Sequence, residues 1–245
     1  RIEVFCHGAL CMAVSGKCYL SLDNFNTSAN RGACVQPCRR GYTVQDRDQE
    51  ITLAIENEYI MSPKDLCTLP FLDKVLDAGV KILKIEGRGR SPEYTKVTVG
   101  VYSEAVKALQ NGEFTEEKVA EWTERLRSVY NRDFWDGYYL GRKTGEWTQR
   151  YGSQATKTKI FVGTVTNFFA KINVAEIRME TQDLKVGDDI MIIGPTTGVY
   201  EDKLSEIRVD LKPVEATEKG ELCSIPVKDV IRRGDKVYKV IDAEI

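Results

Sequence analysis

The chain has 245 residues, 42% of them hydrophobic and 29% charged, with a formal net charge of -2. Such a length carries one large domain or two smaller ones, and the near-neutral balance excludes an overall basic field of the kind that binds nucleic acid non-specifically. No apolar run approaches the roughly 18 residues needed to span a membrane. No membrane partner is expected. A chain this long, with ample core, is unlike a short secreted disulfide scaffold despite its seven cysteines, so a cytoplasmic location is expected. The opening RIEVFCHG lacks Met and is already strand-like, which reads as the middle of a longer protein.

Ile2–Gly8 (IEVFCHG) is a β-branched and aromatic run ending in Gly, the pattern of a buried strand. Glu58–Ser62 reads as a second, short strand. Residues 62–79 (SPKDLCTLPFLDKVLDAG) predict a helix entered through Ser62-Pro63 and stopped at Gly79, with Pro70 kinking it. VKILKIEG (80–87) predicts a strand, and 91–112 (SPEYTKVTVGVYSEAVKALQNG) a helix closed at Gly112. This β-α-β-α order points to a parallel sheet or barrel, but it supplies too few strands to close one. Thr115–Asn131 predicts a third helix, with Val119, Trp122, Leu126 and Val129 on one packing face and Glu116 and Glu117 at its positive end. The aromatic, Gly- and Lys/Arg-rich run at 133–157 reads as an irregular linker. Its aromatics beside cations suit either a sealed junction or base stacking.

From Lys159 the period changes to two, and short strands follow at close spacing. Two Gly-Asp turns, KVGDDI (185–190) and RRGDKV (232–237), precede equivalent strands, as in a small all-β barrel. The expected division is therefore 1–112 for the β/α part, 113–157 for the helix and linker, and 158–245 for the β-barrel.

Chemistry concentrates near the N-terminus, where five of the seven cysteines fall within the first 38 residues. Cys11, Cys18, Cys34 and Cys38 are spaced C-x6-C-x15-C-x3-C, with 28 residues between Cys38 and Cys67. That is neither the paired tight knuckles of structural zinc nor the close run of ferredoxins. It suits a site gathered from several loops at one end of a barrel, where thiolates would hold a metal or an iron–sulfur cluster. Buried free thiols fit the spacing too. A catalytic thiol would need a base, and His7 is the sole histidine. Lys84, Glu86, Arg88 and Arg90 lie at and beyond the end of the 80–87 strand, where barrel active sites form. The Arg88/Arg90 pair there suits a carboxylate or phosphate.

Residues 3–21 (EVFCHGALCMAVSGKCYLS) resemble the signature of peptidase family U32, the collagenase-like proteases. The likeness continues through NRGACVQPCR (30–39), MSPKDLC (61–67), KIEGRGRSPEY (84–94) and DGYYLGR (136–142), in the family's order. The C-terminal strands resemble the second, β-barrel domain of translation elongation factors. The fold these resemblances imply is α/β plus all-β: the second half of a TIM-like β/α barrel, its first half preceding Arg1, then the small barrel. Relatives in this superfamily hold a 4Fe–4S cluster on four cysteines and take part in hydroxylating tRNA or rRNA. The resemblance places those ligands at Cys11, Cys18, Cys34 and Cys67, with Cys38 competing for the fourth position and Cys6 and Cys223 as bystanders. It implies RNA as partner and prephenate, a dicarboxylate, as a co-substrate. His7, Glu86 and Arg88 would then serve the reaction, and Lys84, Arg88 and Arg90 would bind substrate.

The family name also implies proteolysis of a peptide substrate. No Ser-His-Asp arrangement, H-E-x-x-H helix or aspartic dyad is visible, and Cys/His catalysis would have to use His7. Iron–sulfur-dependent RNA hydroxylation is therefore the favoured reading. A U32 peptidase comes second, and a non-catalytic binding module or fragment third.

Overall fold

The computed structural model describes residues 1–11, 13, 17–28, 31–40, 42–46, 48, 52–55, 62–142, 145–148 and 152–244. The chain forms two compact units, one of Arg1–Arg90 with Val97–Ala155, the other of Ser91–Lys96 with Thr156–Ile245.

In the first unit, β1 (Ile2–Gly8) leads to α1 (Tyr19–Phe25), a 3-10 turn at Pro37–Arg39, and the hairpin of β2 (Tyr42–Gln45) and β3 (Thr52–Ile55). Then come β4 (Asp65–Cys67), α2 (Leu72–Asp77), β5 (Val80–Ile85), α3 (Pro92–Asn111, of which the part from Val97 on belongs to this unit), α4 (Glu116–Arg127) and β6 (Phe134–Trp135). The β1 and β5 strands and the two long helices stand where the residue patterns put them. Gly112, with φ of 70°, closes α3 in a backbone region that L side chains rarely adopt. Thr115 caps α4 by accepting a hydrogen bond from the Lys118 N–H at 3.3 Å, and Glu116 and Glu117 occupy its first turn. Trp122 and Leu126 are buried and Val119 packs beside them, as the helical spacing predicts, whereas Val129, also buried, falls past the end of α4. Each such apolar side chain contributes about 1.5–3 kcal/mol when fully buried.

Residues 62–79 do not form one helix. Asp65–Cys67 is extended and paired on both sides, antiparallel to β1 (His7 opposite Cys67) and parallel to β6 (Asp65 opposite Phe134). Only after a 3-10 turn at Leu69–Phe71 does α2 begin, and Gly79, at φ of 91°, ends it. Two ladders outweigh the helical periodicity of the segment, because each of its three residues finds a main-chain partner strand in the sheet. The sheet order is β5-β1-β4-β6, with β1 and β5 parallel and β1 and β4 antiparallel. The sheet is therefore mixed, not the all-parallel run expected of half a β/α barrel. The strand expected at 58–62 lies, Ser62 apart, outside the described residues.

The second unit is an eight-stranded antiparallel sheet ordered β10-β9-β14-β7-β8-β13-β11-β12. Its strands are β7 (Lys157–Phe169), β8 (Val174–Met179), β9 (Asp189–Gly194), β10 (Gly198–Lys203), β11 (Ile207–Val209), β12 (Lys212–Val214), β13 (Leu222–Pro226) and β14 (Lys236–Asp242). One apolar core draws on all eight strands, from Val162 and Ile177 to Ile192, Tyr200, Ile225 and Val237, with Val209 and Val214 at its margin. A flat sheet could not supply one core from every strand, so this one curls on itself.

The two Gly-Asp turns have the same construction. Asp188 and Asp235 each accept a hydrogen bond from the N–H three residues earlier, Lys185 and Arg232, both at 2.8 Å. The glycine before each, Gly187 and Gly234, sits at φ of 92°. The strands that follow, β9 and β14, pair antiparallel with one another. Asp235 is buried and also accepts from the Thr197 hydroxyl at 2.5 Å. Gly194 makes room for it: a methyl group there would overlap the Asp235 carboxylate.

Candidate functional site

The seven cysteines are all free thiols, and they fall into two neighbourhoods of the first unit, with Cys223 alone in the β core. The first is exposed or half-buried. Cys18 stands immediately before α1 and caps that helix, its sulfur accepting from the Ser21 N–H at 3.4 Å. Ser21, through its hydroxyl and then its N–H, holds the Cys18 thiol below its ordinary value. The Cys11 sulfur accepts from the Ala13 N–H at 3.3 Å, and Cys11 and Cys34 are exposed. Burial pushes the Cys38 thiol up, and Cys34, Cys11 and Cys18 are near enough for their charges to push it the same way, against Arg39. Four thiols from three loop segments thus share one neighbourhood. In kind they are the donor set of a thiolate-held group. Among the described residues, no three His, Cys, Asp or Glu side chains already stand in a coordinating arrangement.

The second neighbourhood is the core. Cys6 and Cys67 are buried on adjacent strands, and burial pushes their thiols up, to about 12 and about 11. The Tyr102 hydroxyl, from α3, donates to the Cys6 carbonyl at 2.8 Å and accepts from the Thr68 N–H at 3.2 Å. It also lies 3.8 Å from the Cys67 sulfur and 3.5 Å from His7 Nδ1. Cys67, proposed from the resemblance as a ligand, therefore belongs to a different neighbourhood from Cys11, Cys18 and Cys34. Cys38 is the cysteine whose thiol feels the charges of those three. The physical reason is the β4 ladder, which turns Cys67 into the interior against Tyr102.

His7 is 2% exposed and packed between the rings of Tyr102 and Phe134. Burial, and then the charge of Arg90, lower its pKa to about 3. It is an uncharged core imidazole at neutral pH, too weak a base to activate a thiol there.

Beside it lies a buried ionic cluster. Asp65, 1% exposed, is 3.1 Å from Arg90 and 3.7 Å from Arg132, whose side chains are themselves almost wholly buried. Both guanidinium groups stand over the Tyr130 ring, at 4.0 and 5.1 Å from its centroid. Burial pushes the Asp65 carboxyl up, while Arg90, Arg132 and Arg39 pull it down. Arg39 reaches the Leu10 carbonyl at 3.2 Å and the Ser62 hydroxyl at 3.4 Å, tying the cysteine loops to this cluster.

The substrate-binding group expected after β5 is divided. Lys84 is exposed on β5, paired with Glu3 at 3.2 Å and standing over Phe5. Glu86 accepts from the Arg88 N–H at 2.8 Å and so shapes the turn that exposes Arg88. Arg90 turns inward to Asp65. Asp65, Tyr102 and Arg132 do not stand out in the residue patterns. A carboxylate inside a strongly apolar stretch is the one signal for Asp65, because such a residue is rarely buried unless paired.

The sequence profile of Peptidase family U32 matches residues 1–149. A collagenase of Porphyromonas gingivalis is 57% identical over 239 residues, covering 98% of this chain and 58% of the relative. The tRNA hydroxylation protein P1 of Bacillus subtilis is 35% identical over 202 residues, covering 80% of this chain and 47% of the relative. The tRNA hydroxylation protein P of Escherichia coli is 29% identical over 241 residues, with 80% and 52% covered. The chain thus spans about half to three-fifths of the length of these relatives. With the profile covering more than half of the sequence, the chain belongs to peptidase family U32.

Proposed function

We propose that this chain is part of an RNA-hydroxylation protein in which Cys11, Cys18, Cys34 and Cys38 hold a 4Fe–4S cluster. The observation that carries the reading is the separation of the thiols: Cys11, Cys18 and Cys34, exposed or half-buried, lie near a half-buried Cys38, while the sole histidine is buried and uncharged. A cluster held by thiolates supplies one-electron chemistry when bound. The chain's own residues give the setting for it. Arg39 bonds to Leu10 and Ser62, and the Asp65–Arg90–Arg132 cluster links β4 to the segments that follow β5 and precede β6. Exposed Arg88 is the cation at the β5 end for an anionic co-substrate, a dicarboxylate such as prephenate included. The tRNA hydroxylation proteins of Bacillus subtilis and Escherichia coli support RNA as the partner. Among the described residues no helix is long and apolar enough to cross a membrane.

The test is nucleoside mass spectrometry of tRNA and rRNA from a strain lacking the gene. Loss of a hydroxylated pyrimidine, restored by the parent gene and not by Cys34→Ala, is the expected result. An unchanged nucleoside profile counts against it.

A second reading, proteolysis, is favoured by the collagenase at 57% identity. The thiols give it little support. Cys6 and Cys67 have raised pKa values beside a histidine that is uncharged, the reverse of a thiolate–imidazolium pair. Gelatin cleavage that disappears in Cys18→Ala and survives repurification would favour proteolysis instead.

A further inference from the structure

The β unit has a concave feature of its own. A cleft of about 470 Å3 opens beside two hairpin tips, lined by Phe169, Ile172, Leu211 and Pro226, with Glu206 and Arg208 along one wall. Its size is that of a small-ligand pocket. The tips keep apolar side chains in solvent: Ile172 is 68% exposed and Leu211 84%. Leu211 is held there against backbone preference. The β11–β12 turn puts Asp210 and Leu211 at φ of 48° and 64°, a geometry that Asn-Gly ordinarily fills. A leucine at positive φ is uncommon and strained, and such strain gathers at sites of function.

Charge distinguishes the possible occupants. Lys171 adjoins Ile172 and Lys212 adjoins Leu211, both exposed, and Arg208 is paired with Glu206 at 2.6 Å. The lining thus offers one aromatic ring, Phe169, and one guanidinium, Arg208, over an apolar floor, while Lys171 and Lys212 stand next in the chain to its two exposed tips. Unpaired bases are recognised in this way, by stacking on aromatic and guanidinium planes with cations at the phosphates. An extended peptide finds less. The neighbouring edge strand β12 is three residues long and carries Pro213, both devices that block strand addition.

We propose that this cleft takes one unpaired base of a single-stranded RNA, against Phe169 and Arg208, with Lys171 and Lys212 at the flanking phosphates. The proposal rests on RNA being the substrate class of the protein, and it gives the β unit the task of holding the strand. It is tested by fluorescence anisotropy of the whole chain with a labelled oligouridine at low salt. Phe169→Ala should weaken binding by roughly 5- to 150-fold, the range for one stacked base. Leu211→Gly relieves the positive φ, so it should fold at least as well as the parent and still bind more weakly. Lys171→Ala with Lys212→Ala should flatten the dependence of log K on log salt by about 0.7 for each phosphate no longer neutralised. The proposal is overturned if the parent chain binds no oligouridine, if parent and variants bind alike, or if a gelatin peptide displaces the RNA from this cleft. Those outcomes leave the RNA reading standing, since it is judged by the nucleosides of the deletion strain.

Discussion

Two sets of sulfur atoms in the first unit invite comparison, because they meet opposite environments although Cys6 and Cys11 are only five residues apart. Cys6 and Cys67 lie on paired strands behind Tyr102, and their thiols are pushed up to about 12 and about 11. Cys11 and Cys18, 5 and 12 residues beyond Cys6, lie past the end of β1 with Cys34 and Cys38. There, Cys18 is held below its ordinary value by Ser21. The boundary between the sets is Gly8, where β1 ends at φ of 114° and the chain leaves the sheet. A strand end thus decides which sulfurs are packing material and which can meet a metal or a reagent.

The largest expected effect is in alkylation. In the folded protein Cys11, Cys18 and Cys34 should react with iodoacetamide, with Cys18 gaining relative to the others as pH falls. Cys6 and Cys67 should be slower by about a hundredfold or more, because they react only through opening of the core. Peptide mass mapping over time reads this, and equal rates would erase the distinction between the sets.

Next in size is the ionic cluster behind the buried pair. Asp65→Ala leaves Arg90 and Arg132 without their carboxylate and should cost about 3–5 kcal/mol in denaturant unfolding. A loss within the scatter of surface substitutions would mean that Asp65 is not the hub.

The buried histidine gives a comparable effect at acid pH. Its pKa is about 3 in the folded chain against 6.5 as a free side chain, so between those values the unfolded state binds the extra proton. Stability is full above 6.5 and falls as pH drops toward 3, by on the order of 4 kcal/mol at the acid end. Urea unfolding at pH 7 and pH 4.5 should show a smaller acid loss in His7→Asn than in the parent. Identical losses would place His7 in contact with water.

The smallest effect separates single thiols. Cys67→Ala should cost about 1–2 kcal/mol, through a small cavity beside Tyr102. Cys34→Ala, on the exposed side, should stay within about 0.5 kcal/mol in protein purified without metal. Similar costs for both would blur the comparison.

What can be read in the residues differs with the range of the interaction that fixes each element. Both Gly-Asp turns are legible because everything that builds them lies within four residues: a glycine at positive φ and an Asp side chain bonded three residues back. The α4 stripe is legible for the same reason. Residues 62–79 mislead because Leu66, Leu69, Leu72, Val75 and Leu76 suit a helix. The strand pairing that prevails at Asp65–Cys67 comes from β1 and β6, nearly sixty residues before and seventy after. The same ladder hides Cys67. The family resemblance groups it with Cys11, Cys18 and Cys34, and a sequence carries no record of which side of a sheet a side chain faces. Asp65, Arg90 and Arg132 cannot be joined from sequence for the same reason.

The central claim is that Cys38, not Cys67, completes the thiol set on the accessible side. It is tested most directly by iron and sulfide content, with visible spectra, of anaerobically purified parent chain and its single Cys→Ala variants. The expected result is a brown parent, loss of iron in Cys11→Ala, Cys18→Ala, Cys34→Ala and Cys38→Ala, and iron retained in Cys67→Ala. A colourless, iron-free parent, or a Cys67→Ala protein that alone loses its iron, would contradict it.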